Sequence, residues 1–117
     1  MKKDSVFIEH IWESINKIER YITDVDKEKF VSSSAIQDMI FRRLEIIGEA
    51  VKNLSEDFII YNSEIEWKKI SGLRDILIHN YFGIDLDLTW NVIKKDIPDL
   101  KNKVSKIRDN FDQKPLI

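Results

Sequence analysis

Isoleucine, leucine and valine recur every three or four residues along most of this chain. That spacing places apolar side chains on one face of an α-helix. The 117 residues include only three glycines and two prolines, so few positions favour tight turns. No stretch shows the strict apolar and polar alternation of a half-buried strand. The pattern predicts long helices that pack through their apolar faces.

The first two helices are defined by clear apolar seams. The first is predicted over about residues 4–21, and residues 24–29 lose the pattern and are expected to form a solvated connection. The second is predicted to open at Ser34, where Ser34 and Gln37 have capping-box spacing. The two seams are Ile8, Ile11, Ile15, Ile18, Ile22 and Val25, and then Ile36, Ile40, Leu44, Ile47, Val51 and Leu54.

The third helix is expected to start near Glu64 and to end at Gly83. The residues before it, 55–63, lack helical periodicity, although Phe58, Ile59, Ile60 and Tyr61 are expected to fold onto the core. The inward positions of the helix itself are Trp67, Ile70, Leu73, Ile76 and Leu77.

Asp85 is the expected N-cap of the last helix. A metal-binding pair of Asp85 and Asp87 is the less favoured alternative, because no further carboxylate or histidine stands at ligand spacing. Pro98 removes a backbone hydrogen bond from the middle of this helix and is predicted to kink it. The apolar seam keeps its phase across the proline, so we expect a bend and not a reversal. The seam is Trp90, Ile93, Ile97, Leu100, Val104, Ile107 and Phe111.

These elements predict an all-α fold, an up-down antiparallel four-helix bundle, with residues 1–112 as one domain and 113–117 as a flexible tail. The chain has no cysteine, which excludes disulfides and thiolate metal sites. No apolar run is long enough for a signal peptide or a membrane span, so we expect a cytoplasmic protein without membrane contact. The net charge of -2 argues against a general nucleic-acid coat.

One segment of the third helix concentrates groups that can do chemistry. Arg74, Asp75, His79 and Tyr81 lie within eight residues, and His79 is one of only two histidines. An arginine can hold two phosphate oxygens at once, and an imidazole can exchange protons near neutral pH. The other histidine, His10, lies off the apolar seam and is expected to be an exposed imidazole without a ligand role.

On a helical wheel Arg74 and His79 lie about 140° apart, on the side away from the core. They converge only if the arginine bends round or if a second chain supplies the missing half. Ile78 is apolar and also points away from the core, which indicates that this side is covered. A homodimer through the motif face explains both features and would gather two arginines and two histidines around one cleft. The alternative is that Asp75 pairs with His79 or Arg74 on a solvated helix, since short motifs also occur by chance.

The spacing of Arg74, His79 and Tyr81 resembles the R-x4-H-x-Y motif of the HEPN superfamily, and the wider sequence resembles its HepT-like branch over residues 7–108. The segments that carry this resemblance are 37–38, 43–50, 67–70 and 72–75, and Trp90 together with 96–100.

The resemblance implies a dimeric helical bundle with the motif at its interface, acting as a metal-independent endoribonuclease without a cofactor. Arg74 and His79 would be catalytic, with Asp75 in support. Members serve as toxins paired with a minimal nucleotidyltransferase antitoxin that transfers AMP to the motif tyrosine, here Tyr81. The expected partners are therefore an RNA substrate (tRNA or mRNA), the cognate nucleotidyltransferase and a second copy of the chain.

Two other functions stay open on the sequence. A non-catalytic module would bind a nucleotide or the partner nucleotidyltransferase through Arg74 without cleaving RNA, and the acidic pI of about 5.7 mildly favours it. A purely structural motif would affect stability alone. The presence of His79 favours the ribonuclease, because a binding module has no evident need of an imidazole at that position.

Overall fold

The computed structural model describes residues 2–73 and 85–112, and all the regular elements in these two ranges are helical, which confirms the all-α prediction for them. The elements are α1 (Lys2–Tyr21), α2 (Lys27–Ser32), α3 (Ser34–Lys52), α4 (Glu56–Tyr61), α5 (Trp67–Ser71), α6 (Leu86–Asn91), a π-helical turn (Val92–Asp96) and α7 (Ile97–Asp112).

The core lies between the long helices α1, α3 and α7, with α1 packed chiefly against α3. The predicted seams of these helices are its walls, and each buried aliphatic side chain contributes about 1.5–3 kcal/mol relative to an exposed one. The fully or almost fully buried members are Ile8, Ile11, Ile15, Ile18, Ile40, Leu44, Ile47, Val51, Ile97, Leu100, Val104 and Ile107.

The chain reverses after α1 through a turn at Asp24, whose φ of 60° lies in the left-handed region. Aspartate tolerates that region better than most residues with a side chain. Ile22 and Val25, the last two members of the predicted first seam, lie in this turn and are only partly buried against the core.

The predicted solvated connection over residues 24–29 is wrong in its second half, where α2 begins. The Asp26 carboxylate accepts the backbone N–H of Lys29 at 2.8 Å and so caps this short helix. Phe30 is fully buried, and its ring centroid lies 5.4 Å from that of Trp90. This aromatic contact joins α2 to the last part of the chain.

Helix α3 begins at Ser34 as predicted, but the capping box of Ser34 and Gln37 is wrong. The hydroxyl of Ser33, one residue earlier, accepts the N–H of Ile36 at 3.2 Å. The Gln37 amide instead donates to two carbonyls in the last turns of α2, at 2.9 and 3.0 Å. Gln37 thus fixes the junction between two helices and not the end of one.

The irregular segment expected before the third predicted helix contains another short helix, α4. The Ser55 hydroxyl accepts the N–H of Phe58 at 3.2 Å and caps it. Phe58 and Ile59 pack against the core as predicted. The prediction is wrong for Ile60 and Tyr61, which are 72% and 86% exposed. A short helix on the surface buries one face only, and these two residues occupy the other.

The last helix is divided close to the predicted position. The N–H of Ile97 donates to the carbonyl of Val92, five residues back, as in a π-helix. Pro98 has no N–H to donate, so the change in hydrogen bonding falls where the proline already interrupts the α-helical pattern. Ile93 and Leu100 are buried on either side of this point. The predicted continuity of the seam is confirmed here.

Three parts of the predicted architecture stay predictions: the count of four helices, the bend at Pro98 and the homodimer. Gly83, Ile76 and Leu77 of the third predicted helix, and the tail over residues 113–117, lie outside the described residues. Within the described part of the chain, each helix is too short or too polar to span a bilayer.

A buried carboxylate joins α1 to the start of α4. Asp4 is only 1% exposed, and its two oxygens accept the N–H and the hydroxyl of Ser55, each at 2.8 Å. Since Ser55 also caps α4, one residue links the two helices. Both oxygens of the buried charge are thereby satisfied, as buried carboxylates require.

Replacing Asp4 by alanine is expected to lower the free energy of unfolding by about 2–3 kcal/mol, because it removes two hydrogen bonds to a charged group and strands the Ser55 N–H. Urea unfolding followed by circular dichroism measures the change. Asp109→Ala, at an exposed carboxylate on α7, is the matched control and is expected to stay within about 0.5 kcal/mol of the parent. Equal stabilities of the two variants would contradict a structural role for Asp4.

Candidate functional site

The four residues predicted to carry the chemistry, Arg74, Asp75, His79 and Tyr81, lie outside the described residues, so their arrangement stays a prediction. The structure does show the two points between which this segment runs. Leu73 precedes it and Asp85 follows it. Helix α5, which ends two residues before Leu73, and α6 with the π-helical turn, which follow Asp85, form the frame of the candidate site.

Helix α5 fixes the first of these points. Trp67 is buried, and its indole N–H donates to the carbonyl of Asn62 at 2.9 Å. The ring of Phe58 lies 6.0 Å from the Trp67 ring, centroid to centroid. Leu73 is also buried in the core. The chain therefore enters the predicted catalytic segment from a position held by two large apolar side chains.

The cap of α6 fixes the second point. The Asp85 carboxylate accepts the N–H of Leu88 at 3.0 Å, and its carbonyl accepts the Thr89 hydroxyl at 3.1 Å. The predicted capping role is confirmed. Asp87 pairs instead with Lys27, at 2.9 Å, so the two aspartates have separate roles. Across residues 2–73 and 85–112, no three histidine or acidic side chains group closely enough to hold a metal ion.

A cavity of about 180 Å³ lies where the two sides of the frame meet. We call it the frame cavity. Leu73 contributes to it from the first side, and Leu88 from the second. The described residues that line it are Leu44, Lys69, Leu73, Leu88, Thr89, Val92 and Asp96. The cavity is thus immediately beside the point at which the predicted catalytic segment begins.

The frame also carries four exposed lysines. Lys68 and Lys69 on α5, and Lys94 and Lys95 on the π-helical turn, are exposed, and none has an ion-pair partner among the residues the structure describes. Lys94 lies over the Trp90 ring, 5.5 Å from its centroid. Four exposed lysines therefore flank the predicted segment, interspersed with the carboxylates Asp85, Asp87 and Asp96.

The surface between α1 and α7 is different, because its cations are paired. Arg108 binds the Glu9 carboxylate through two nitrogens at 2.6 and 3.0 Å, and Lys101 pairs with Glu19 at 2.6 Å. Arg108 also lies over the Trp12 ring, 4.5 Å from its centroid. The lysines of the frame are therefore more available to a polyanion than the paired cations of this surface.

The second histidine lies well away from the frame, in a groove of about 300 Å³ between α1 and α3. His10 is exposed, as predicted, and its ring meets the edge of Phe7 at 5.9 Å between centroids. Arg42 and Glu45 in the same groove form an ion pair at 3.4 Å.

Sequence reasoning found the motif but missed the cavity beside it. The doublets Lys68-Lys69 and Lys94-Lys95 are visible in the sequence and could have indicated a local basic region. Nothing in the sequence places Lys69 and Asp96 at one cavity, because they belong to elements on opposite sides of the predicted segment.

Comparison with known proteins identifies similar sequences. Residues 11–107 match the family model described as "Ribonuclease HepT-like". The chain is 42% identical over 102 residues to "Probable ribonuclease HepT" of Thermococcus cleftensis. This match covers 87% of this chain and 93% of that protein. It is 48% identical over 114 residues to "Gamma-glutamylcyclotransferase and putative RNase" of Methanocaldococcus jannaschii. That match covers 97% of this chain but only 51% of the relative, so the chain spans about half of the relative's length. No solved structure matches the chain.

Proposed function

The chain belongs to the HepT-like ribonuclease family, and we propose that it is a metal-independent endoribonuclease whose catalytic residues are Arg74 and His79. The observation that carries this proposal is the family match over residues 11–107, which encloses the whole motif from Arg74 to Tyr81. The lysines of the frame support an RNA substrate, because they supply local positive charge to an acidic protein.

The reaction needs three things from the protein. The 2′-hydroxyl must lose its proton as its oxygen attacks the phosphorus, the leaving 5′-oxygen must gain a proton, and the charge on the phosphorane must be stabilised. Arg74 would hold the phosphate oxygens with its planar guanidinium. His79 would transfer the protons, and Asp75, four residues before it, would orient the imidazole.

We propose that the complete site forms in a homodimer through the motif face. Two protomers of a four-helix bundle would bring Arg74 of one and His79 of the other to one phosphate, where the imidazole accepts the 2′-hydroxyl proton and its conjugate acid then protonates the leaving oxygen. The buried seam across Pro98 supports a last helix that bends without reversing and so completes the bundle.

The proposed biological setting is a cytoplasmic toxin–antitoxin pair with tRNA or mRNA as the target. The antitoxin would be a minimal nucleotidyltransferase that transfers AMP to Tyr81, two residues after His79. The added phosphate and nucleoside would place negative charge and bulk where the RNA backbone must lie. Adenylylation would therefore inhibit cleavage by repulsion and by exclusion.

The second candidate is a non-catalytic module that binds a nucleotide or the nucleotidyltransferase, which the net charge of -2 favours. It differs from the ribonuclease in one measurable respect. Arg74→Ala would weaken binding in both cases, but RNA would stay intact with the parent protein only if the module is non-catalytic.

Replacing His79 by alanine is expected to abolish RNA cleavage in EDTA, by at least about 100-fold, because general acid–base catalysis contributes about 10²–10⁴-fold. Cleavage of end-labelled tRNA and mRNA on denaturing gels measures the effect. His10→Ala is the control, since it removes the other histidine of the chain and should leave the rate unchanged. Full activity of a folded His79→Ala variant would remove this residue from the mechanism.

The dimeric site is tested by coexpressing the Arg74→Ala and His79→Ala chains, each inactive alone. A heterodimer keeps one intact Arg74 and one intact His79 on different protomers. If the two chains pair at random, half of the dimers are heterodimers, and each heterodimer has one of its two composite sites intact. Recovery of up to about a quarter of the parent activity is therefore expected. No recovery in purified heterodimers would show that each protomer works alone.

Adenylylation is tested by incubating the chain with ATP, Mg²⁺ and a minimal nucleotidyltransferase of the proposed antitoxin class. Mass spectrometry is expected to find AMP on Tyr81, together with loss of cleavage. Tyr81→Phe should remain unmodified, whereas Tyr61→Phe should be modified like the parent, although Tyr61 is a highly exposed tyrosine. Modification of Tyr61 in place of Tyr81 would contradict the proposed switch.

A further inference from the structure

We propose that the frame cavity binds a guanine base of the RNA next to the cleaved phosphate. This inference rests on the proposed ribonuclease function and adds to it a base preference. Four observations support it: the size of the cavity, its largely apolar lining, the two charged side chains that also line it, and its place beside the predicted catalytic segment.

The size and walls suit a flat aromatic ring. The cavity measures about 180 Å³, and aliphatic cavities of roughly 150 Å³ bind benzene. Its apolar lining comes from Leu44, Leu73, Leu88 and Val92. Leu88 is 41% exposed although it lies among buried neighbours. A base inserted beside it would cover an apolar side chain that is otherwise left in water.

The charged lining residues match the polar edge of guanine. Asp96 has no hydrogen bond or ion pair within the described parts of the chain, and an ionised carboxylate can accept two parallel hydrogen bonds. Guanine presents such a pair, its N1–H and N2–H groups. Lys69 is a donor without an acidic partner in the described ranges and can bind guanine O6. Uracil has one ring N–H and no amino group, so it can make only part of this pattern.

The place of the cavity connects the base to the chemistry. Leu73 lines it, and Arg74 follows Leu73 directly in the sequence. Consecutive Cα atoms are about 3.8 Å apart, so the arginine begins one residue from a wall of the cavity, within the span of a single nucleotide. Base recognition and phosphate recognition would then use neighbouring parts of one chain.

The preference is tested with four oligouridine strands. In three of them the central uridine is replaced by guanosine, adenosine or cytidine, and the fourth is left unreplaced. For the parent protein, kcat/KM for cleavage next to guanosine is expected to exceed that next to uridine by about 10- to 100-fold. Asp96→Asn should reduce this ratio to about threefold or less, because the amide replaces one acceptor oxygen by a donor. Asp99→Asn is the matched control: Asp99 lies on the same stretch but pairs with Lys103 at 3.0 Å, and its variant should keep the parent ratio. An unchanged ratio in Asp96→Asn would overturn the proposal.

A binding measurement separates this inference from the ribonuclease proposal. Guanosine monophosphate added to the His79→Ala variant should shift the methyl resonances of Leu73, Leu88 and Val92, and uridine monophosphate should shift them less. If the parent protein cleaves no RNA but the variant still binds guanosine monophosphate, the ribonuclease proposal is rejected and the guanine site is retained. Absence of these shifts would reject the cavity, whatever the parent cleaves. Leu88→Trp should block binding with an unchanged oligomeric state, and dissociation of dimers by this variant would identify Leu88 as part of an interface between copies instead.

Discussion

The described structure depends on the burial of aliphatic side chains between α1 and α3, completed by α7. Four isoleucines of α1 are fully buried, and they align with the buried positions of the two other long helices. Branched aliphatic side chains in such a core leave little freedom for one helix to slide along another, because interiors are close-packed. Every other element is positioned by this contact. The short helices add aromatic and polar contacts to its edges, and the frame of the candidate site is built onto one side of α3.

The long helices could be predicted because their signal is periodic and repeated over many residues. The short ones could not, because each depends on a single cap and one or two contacts made elsewhere. Helix α2 exists because Asp26 caps it and Phe30 reaches Trp90, a contact between distant parts of the sequence. The same limit explains the capping error at α3, where Ser33 and Ser34 are both plausible from sequence and the geometry selects the first. Exposure on α4 was misjudged because hydrophobicity alone does not show which face of a short helix meets the core.

For the candidate site, the motif could be predicted from the sequence, but the elements around it could not. The motif from Arg74 to Tyr81 was recognisable by residue type and spacing, and the family match encloses it. The frame could not be predicted, because it joins α5 to the π-helical turn across the motif. Local charge is a further property that composition concealed. A chain with net charge -2 still presents Lys68, Lys69, Lys94 and Lys95 around the segment, while the cations of α7 facing α1 are paired with glutamates.

The π-helical turn has a consequence for how length changes in this region would be tolerated. A turn of this kind is equivalent to one residue added to an α-helix, and one residue corresponds to about 100° of rotation about the helix axis. Removing a residue between Val92 and Asp96 would restore α-helical hydrogen bonding there, while α7 stays packed in the core. Because the wide turn already accommodates the extra residue, α6 would keep nearly its present orientation, and Leu88 and Thr89 would stay near Leu73. A deletion within α6 or α7, which contain no surplus residue, would instead turn the flanking residues by about 100° out of register. The π-helical turn is therefore the point at which this part of the chain can lose one residue with the least disturbance.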